Sequence, residues 1–195
     1  MKSPLRFVLP WLIMLAGGCA LSPQSINIDP AIDTSGLSTM ADGPALALAV
    51  DDNRGGDVLG TRGGVYAGTA EIRTTGDIRA PVRRELAAAL ETMGYRVVES
   101  GNSADADLRV IIDEVNYQAI GDSVVKAVEI AVVLRVAATV DNREYTGRYR
   151  GRRTTDVLTP PNTEKNETMI NEALSHVLER VLTDSELHTF LRGKT

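Results

Sequence analysis

Apolar and polar positions alternate most strictly in the second half of the chain. Val128, Ile130, Val132, Leu134, Val136, Ala138 and Val140 occupy every second place in "KAVEIAVVLRVAATV", the period of a strand with one buried face. Asp141-Asn142 follows as turn chemistry, so the pattern predicts a long hairpin. With those two residues as the loop, Ala138 faces Tyr145 and Leu134 faces Tyr149. Gly147 and Gly151 then fall opposite Val136 and Val132, and the buried face alternates large with small.

Helical spacing is as clear in two other places. In "DIRAPVRRELAAALETMGYRVV", Ile78, Val82, Leu86, Leu90 and Met93 recur every three or four residues, which predicts a helix over 77–93. Asp77 can cap its start, Pro81 sits harmlessly in its first turn, and Gly94 ends it. After Pro160-Pro161, with Asn162 or Thr163 as cap, Ile170, Ala173, Leu174, Val177, Leu178, Val181 and Leu182 form a broad stripe, predicting a helix over 163–182. Asp184 restarts a short helix carrying Leu187, Phe190 and Leu191.

The remaining strands are shorter or less regular. "PALALAV" alternates Leu46, Leu48 and Val50 with alanines, and "ADLRVIIDEVNYQAI" places Leu108, Val110 and Ile112 on one face. "VYAGTAEIR" and Tyr95 to Val98 read as short strands, and "SINI" can add an edge strand. The glycine-rich stretch Asp51 to Gly64 reads as an excursion between strands. A phosphate-cradling loop would need Gly-Lys-Ser/Thr opening a helix, whereas Gly60 is followed by Thr61-Arg62. Together these elements predict an α+β domain: a mixed or antiparallel sheet of about four to six strands with two main helices packed on it.

The opening segment changes the picture of where such a domain works. Lys2 and Arg6 precede an uncharged, mostly apolar run from Phe7 to Ala16. A spanning helix needs about 20 apolar residues, so this run is too short for one. Charged start, short apolar centre and small residues at the end are the layout of a secretory signal. Ala16, Gly17 and Gly18 lead directly to Cys19, the only cysteine of the chain. This resembles the bacterial lipobox, whose cysteine is acylated after cleavage of the bond before it. An ordinary cleaved signal with an incidental cysteine is the other reading. Two or more acyl chains hold a protein on a membrane almost permanently. Ala20 is not the aspartate that commonly retains such lipoproteins at the inner membrane, so the expected site is the outer membrane, facing the periplasm. The expected organisation is a signal peptide over 1–18, a lipidated N-terminus and Ser/Pro-rich tether over 19–43, and one periplasmic domain over 44–195.

Composition narrows the functional classes. A net charge of −5 over 195 residues argues against a nucleic-acid binder. With Cys19 acylated the mature chain keeps no thiol for a disulfide or a metal, and no cofactor or metal is expected. The only Trp, Trp11, lies in the signal, which leaves few rings for stacking a base or sugar. Against the acidic background, Arg148, Arg150 and Arg152 share one face of the predicted return strand, with Arg143 and Arg153 nearby. They can contact an anionic partner such as lipid headgroups, lipopolysaccharide or peptidoglycan. The plainer alternative is a solvated strand face that discourages aggregation.

Catalytic signatures are sparse. Ser123-Val-Val-Lys126 matches the Ser-x-x-Lys of penicillin-binding enzymes, but Ser123 leads into a strand, where residues three apart point to opposite faces, and no Lys-Thr-Gly accompanies it. His176 and His188 lie 12 positions apart without a helical partner at ligand spacing. Asp113 and Glu114 cannot be paired from the sequence.

Five segments carry a wider likeness: "GGC" at Cys19, "PQSINIDP", "AVDDNR", "RRELAAALETMGYRVV" and "LHTFLR". With them the chain resembles the YajG-like family of uncharacterised bacterial lipoproteins over nearly its whole length. The resemblance implies a lipoprotein and brings no established activity to particular residues. The layout also looks like small envelope modules of the TolB amino-terminal type, a likeness of fold that licenses no function. The expected role is a non-catalytic adaptor or accessory protein that binds an envelope protein or peptidoglycan while held to the membrane through Cys19. The alternative is an envelope hydrolase or small-ligand binder with a pocket between sheet and helices.

Overall fold

A computed structural model describes residues 21–63, 67–99, 104–121 and 125–193. The signal segment, Cys19 and Ser123 lie outside the described residues. In chain order the elements are β1 (Gln24–Asn27), β2 (Ala45–Asp52), β3 (Val58–Thr61), β4 (Glu71–Thr75), α1 (Arg79–Thr92), β5 (Arg96–Val98), β6 (Ala106–Ile120), β7 (Ala127–Val140), β8 (Arg143–Asp156), α2 (Thr163–Leu182) and α3 (Ser185–Leu191). A single 3₁₀ turn, Ala67–Thr69, precedes β4.

The strands form one mixed sheet of eight, with the 15-residue β6 at its centre. On one side β6 pairs antiparallel with β7, which pairs with β8. On the other side its first half pairs parallel with β2, and its last residues, Tyr117 and Gln118, pair parallel with β3. The sheet therefore forks: β5 continues outward from β2, while β4 and then β1 continue from β3. Eight strands exceed the expected four to six. One of the additional strands is β1, the edge strand that "SINI" could add, and the one no predicted segment covers, β3, lies inside the glycine-rich stretch expected as an excursion. Its four residues are too few to display a period, and only the pairing reveals them. Of the strand expected over "VYAGTAEIR", Val65 and Tyr66 lie outside the described residues, Ala67–Thr69 is a 3₁₀ turn, and β4 begins at Glu71.

The hairpin has the expected register. Ala138 pairs with Tyr145, Leu134 with Tyr149, Val136 with Gly147 and Val132 with Gly151. Asp141 and Asn142 take positive φ of 49° and 62°, as a two-residue turn that follows the right-handed twist of its strands requires.

All three helices cover one face of the sheet. Helix α1 lies over β2 and β5, α2 over β7, β8 and β1, and α3 over the hairpin. The expected stripes are the buried ones: Val82, Leu86 and Leu90 in α1, and Ile170, Leu174, Val177 and Leu178 in α2, meet Leu48, Leu108, Ile112 and Leu134 of the sheet. Asn162 caps α2, its Oδ1 accepting from Lys165 N at 2.9 Å. Asp77 is one position short of the α1 cap, Ile78, yet its Oδ1 accepts from Arg79 N at 2.9 Å and relieves one free amide there.

Residues 24–43, expected as part of a tether, are docked on the domain instead. β1 joins the sheet beside β4, and Ile26 and Ile28 are buried. The chain then runs along α2 on a ladder of side-chain acceptors. Asn27 N donates to Glu167 Oε2, Asp29 N to Asn171 Oδ1, Ala31 N to Ser175 Oγ and Asp33 N to Glu179 Oε1, at 2.9–3.2 Å. Two residues of extended chain advance about 6.6 Å and four helical residues about 6.0 Å, so the two repeats stay in step. Further on, Met40 N and Gly43 N donate to the carbonyls of Met93 and Gly94. Gly94 has φ +98°, and a Cβ there would lie 2.1 Å from Met40 O. No larger residue fits that crossing.

Candidate functional site

With the helices on one side, the other face of β2, β6, β7 and β8 carries no covering element among the described residues. Cross-strand pairing orders its side chains into rows. Arg152 stands beside Ala131 and Asn116, Arg150 beside Val133 and Glu114, and Arg148 beside Arg135 and Ile111. The middle strand contributes Ala131, Val133 and Ala137 to this face, with the charged Glu129 and Arg135 on the same strand. Val133 is buried by its neighbours, while Arg148, Arg150 and Arg152 are exposed.

The three arginines are not equivalent. Arg152 Nη1 lies 3.2 Å from Glu129 Oε1. Arg135 forks onto Asp113, with Nε and Nη2 at 3.0 and 2.7 Å. That hydrogen bonding holds the Asp113 carboxyl below the usual carboxylate range, and the charge of Arg148 adds to the effect. Arg148 and Arg150 themselves make no ion pair among the described residues. Arg153 sits at the helix side of β8, against Glu172 of α2 at 3.1 Å, and Arg143 lies over the Phe190 ring. Five arginines close in sequence therefore divide into two unpaired ones on the bare face and three held by other partners.

The glycine-rich loop closes a second feature. Between the β2 and β3 pairings a short stretch of β6 faces a cleft lined by Arg54, Asp57, Asp113, Glu114 and Asn116. Asp52 holds Arg54 through Nε and Nη2 at 2.8 Å each, leaving the buried Nη1 unpartnered. Three carboxylates line this cleft, so it repels phosphate rather than cradling it.

His188 is the buried histidine. In the neutral ring Nε2–H donates to Leu182 O at 2.8 Å and Nδ1 accepts from the Tyr95 hydroxyl at 2.8 Å, which selects the Nε2–H tautomer. Burial holds its pKa below the ordinary value, and nearby Arg192 lowers it further. His188 also borders a cleft of about 320 Å³ with Met40, Met93 and Arg192. His176 is exposed, 3.9 Å from Glu179. The histidines thus play separate parts, and among the described residues no cluster of three His, Cys, Asp or Glu side chains could hold a metal. Of the Ser123–Lys126 pair, Ser123 lies outside the described residues. No helix among the described residues is long and apolar enough to cross a membrane.

The sequence reading missed the acceptor ladder of Glu167, Asn171, Ser175 and Glu179. Four polar residues at an unbroken spacing of four were the available signal, and they looked like a solvated helix face.

Known structures share this architecture. A Xanthomonas campestris protein of known crystal structure aligns with a TM-score of 0.53 and 14% identity, over 89% of this chain and 99% of its own. Rare lipoprotein B of Shewanella oneidensis aligns with a TM-score of 0.49 and 14% identity, over 71% of this chain and 90% of its own. At such identities the first likeness speaks for fold alone. No curated protein matches the chain. Residues 30–192 fit a family model described as an uncharacterised lipoprotein, and by that match across the domain the chain belongs to this family of lipoproteins, the YajG-like kind that its sequence resembles.

Proposed function

We propose that the protein is an outer-membrane lipoprotein, acylated at Cys19, whose periplasmic domain is a non-catalytic adaptor for an anionic envelope protein or cell-wall component. The observation that carries this reading is the bare sheet face. A layer of helices buries one side of the sheet, while the other carries the half-buried Ala131 and Ala137, with Arg135 between them and Arg148 and Arg150, which make no ion pair among the described residues, alongside. Short side chains beside guanidinium groups that no ion pair holds suit a partner that offers carboxylates or phosphates around a flat contact. Membership of a lipoprotein family supports the anchor. The lipobox and Ala20 support the outer membrane.

The test is crosslinking in intact cells from two positions. A photoreactive residue at Ala131, on the bare face, should give a discrete adduct identified by mass spectrometry. The same residue at Glu172, on the helix side, should not. Adducts of equal yield and identity from both positions would remove the sheet face from this role.

A further inference from the structure

Three large apolar side chains are exposed among the described residues: Val58, Ile120 and Leu158, with Leu158 100% exposed. Two of them, Ile120 and Leu158, lie at one end of the domain. Val157 N donates to Lys126 O and Lys126 N donates to Ile120 O, which ties the loop after β8 to the end of β6. The described chain begins at this same end. The Arg62 guanidinium donates through Nη1 to Ser22 O and through Nη2 to Pro161 O, both at 2.9 Å. One buried side chain thus clamps the start of the domain to the loop that displays Leu158.

We infer that this end of the domain rests on the phospholipid surface, with Leu158 entering the headgroup layer and Ile120 beside it. The inference rests on the reading of Cys19 as the acylated residue. Three residues of chain reach at most about 11 Å, so Cys19 cannot stand farther than that from Ser22. Leu158, three residues before Pro161, is confined to a similar distance on the other side of Arg62. An acyl chain buried from Cys19 therefore brings the bilayer surface within reach of Leu158. Among the described residues the charge here is mixed, with Lys126 and Lys165 exposed alongside Asp156 and Glu164. Contact through the apolar side chains, rather than attraction to anionic lipid, carries the interaction. The β7–β8 turn is then the end farthest from the membrane, about 40 Å away along β7. The bare sheet face stands upright, open to a partner from the side.

The full chain provides the test, because acylation removes the only native thiol. Leu158→Cys and Thr139→Cys variants are extracted from membranes, their reactive thiols counted, and each labelled with an environment-sensitive fluorophore. They are then placed in vesicles of phosphatidylethanolamine and phosphatidylglycerol, with or without nitroxide-bearing lipid. One reactive thiol is expected in each variant, with several-fold stronger quenching at position 158 than at 139. One thiol with equal quenching at both positions, or with none at 158, would overturn the inference and leave the anchor standing. Two reactive thiols would overturn the anchor, and this inference with it.

Discussion

Val177 of α2 fills the space above Gly151 of β8: a Cβ built on Gly151 would lie 2.4 Å from Val177 Cγ2. Gly151 is thus a socket for the helix above it, whereas Gly147 makes room for the rings of Tyr145 and Tyr149 on its own strand. Gly151→Ala should overpack this contact and cost about 1–3 kcal/mol. Trimming Val177 to Ala should relieve that clash, so the double variant should be less unstable than the two single losses added together. Urea denaturation of the four proteins measures the coupling. Additive losses would mean that the helix does not seat here.

Leu178 is fully buried mid-stripe on the same helix, and Leu178→Ala should cost about 2–5 kcal/mol. The polar residues beside it follow a different scale. Ser175 is buried, and its Oγ is the acceptor for Ala31 N. Ser175→Ala strands that donor and should cost about 1–3 kcal/mol. Glu179 is half-buried rather than pointing freely to water, and it holds Asp33 N. Water can replace its carboxylate, so Glu179→Ala should cost about 0.5–1 kcal/mol. Hydrogen exchange at Ala31 and Asp33 should quicken in the respective variants. A loss at Glu179 equal to that at Leu178 would place the wrong face of α2 in the core.

What was legible in the chain follows from local period. The hairpin register could be read because strict alternation meets a two-residue turn, and α2 because its stripe runs for more than three turns in a helix capped by Asn162. The fork of the sheet could not. Nothing in the alternation of β6 says that Leu46 to Asp52 will occupy one half of its edge and Gly60-Thr61 the other. The docking of residues 27–33 was equally hidden, since its hydrogen bonds join backbone amides to side chains about 140 positions away. For the candidate surface, the sequence placed Arg148, Arg150 and Arg152 on one face. It could not show that Glu129 engages Arg152, because the register pairs Glu129 with Thr154 and the diagonal contact to Arg152 is set by side-chain conformation.

His188 gives the fold a pH dependence of known sign. Burial lowers its folded pKa below the unfolded value of about 6.5, so over that interval the unfolded chain holds the extra proton. The contribution is therefore complete above about pH 6.5 and is lost as the pH falls toward the folded pKa. Asp184 acts lower down. Burial raises its pKa, but hydrogen bonds from Tyr149, Leu187 N, Tyr145 and Glu186 N outweigh that and leave it lowered. Its contribution is lost only as the pH falls through the carboxylate range. Urea midpoints between pH 7.5 and 5.5 should fall for the wild type and stay flatter for His188→Gln, whatever that variant's stability at pH 7.5. Parallel curves would clear His188 of this role.

Anchorage makes the simplest prediction. Cys19→Ser removes the thiol that receives the lipid, so the variant should accumulate unprocessed or fractionate as soluble protein. Acylated wild type should sediment with outer membranes. If the variant also sediments there, stripped of peripheral protein by salt washing, Cys19 is not what holds the chain.

The final prediction separates the arginines of β8 by their partners. Glu129 offsets Arg152, whereas Arg148 and Arg150 have no ion pair among the described residues. An incoming carboxylate or phosphate gains most from the charges that no ion pair already holds, and such contacts weaken as salt screens them. Arg148→Gln with Arg150→Gln should therefore weaken association with an anionic envelope partner and flatten its dependence on salt. Arg152→Gln alone should change both far less. All three side chains are exposed, so each variant should keep its stability to urea within about 0.5 kcal/mol of wild type. Pull-down from envelope extracts over a range of salt concentrations reads the effect directly. Identical retention of wild type and the Arg148/Arg150 double variant at low salt would make these residues a solvated strand face. An equal loss in the Arg152 variant would show that the strand's total charge matters, and not the two unpaired positions.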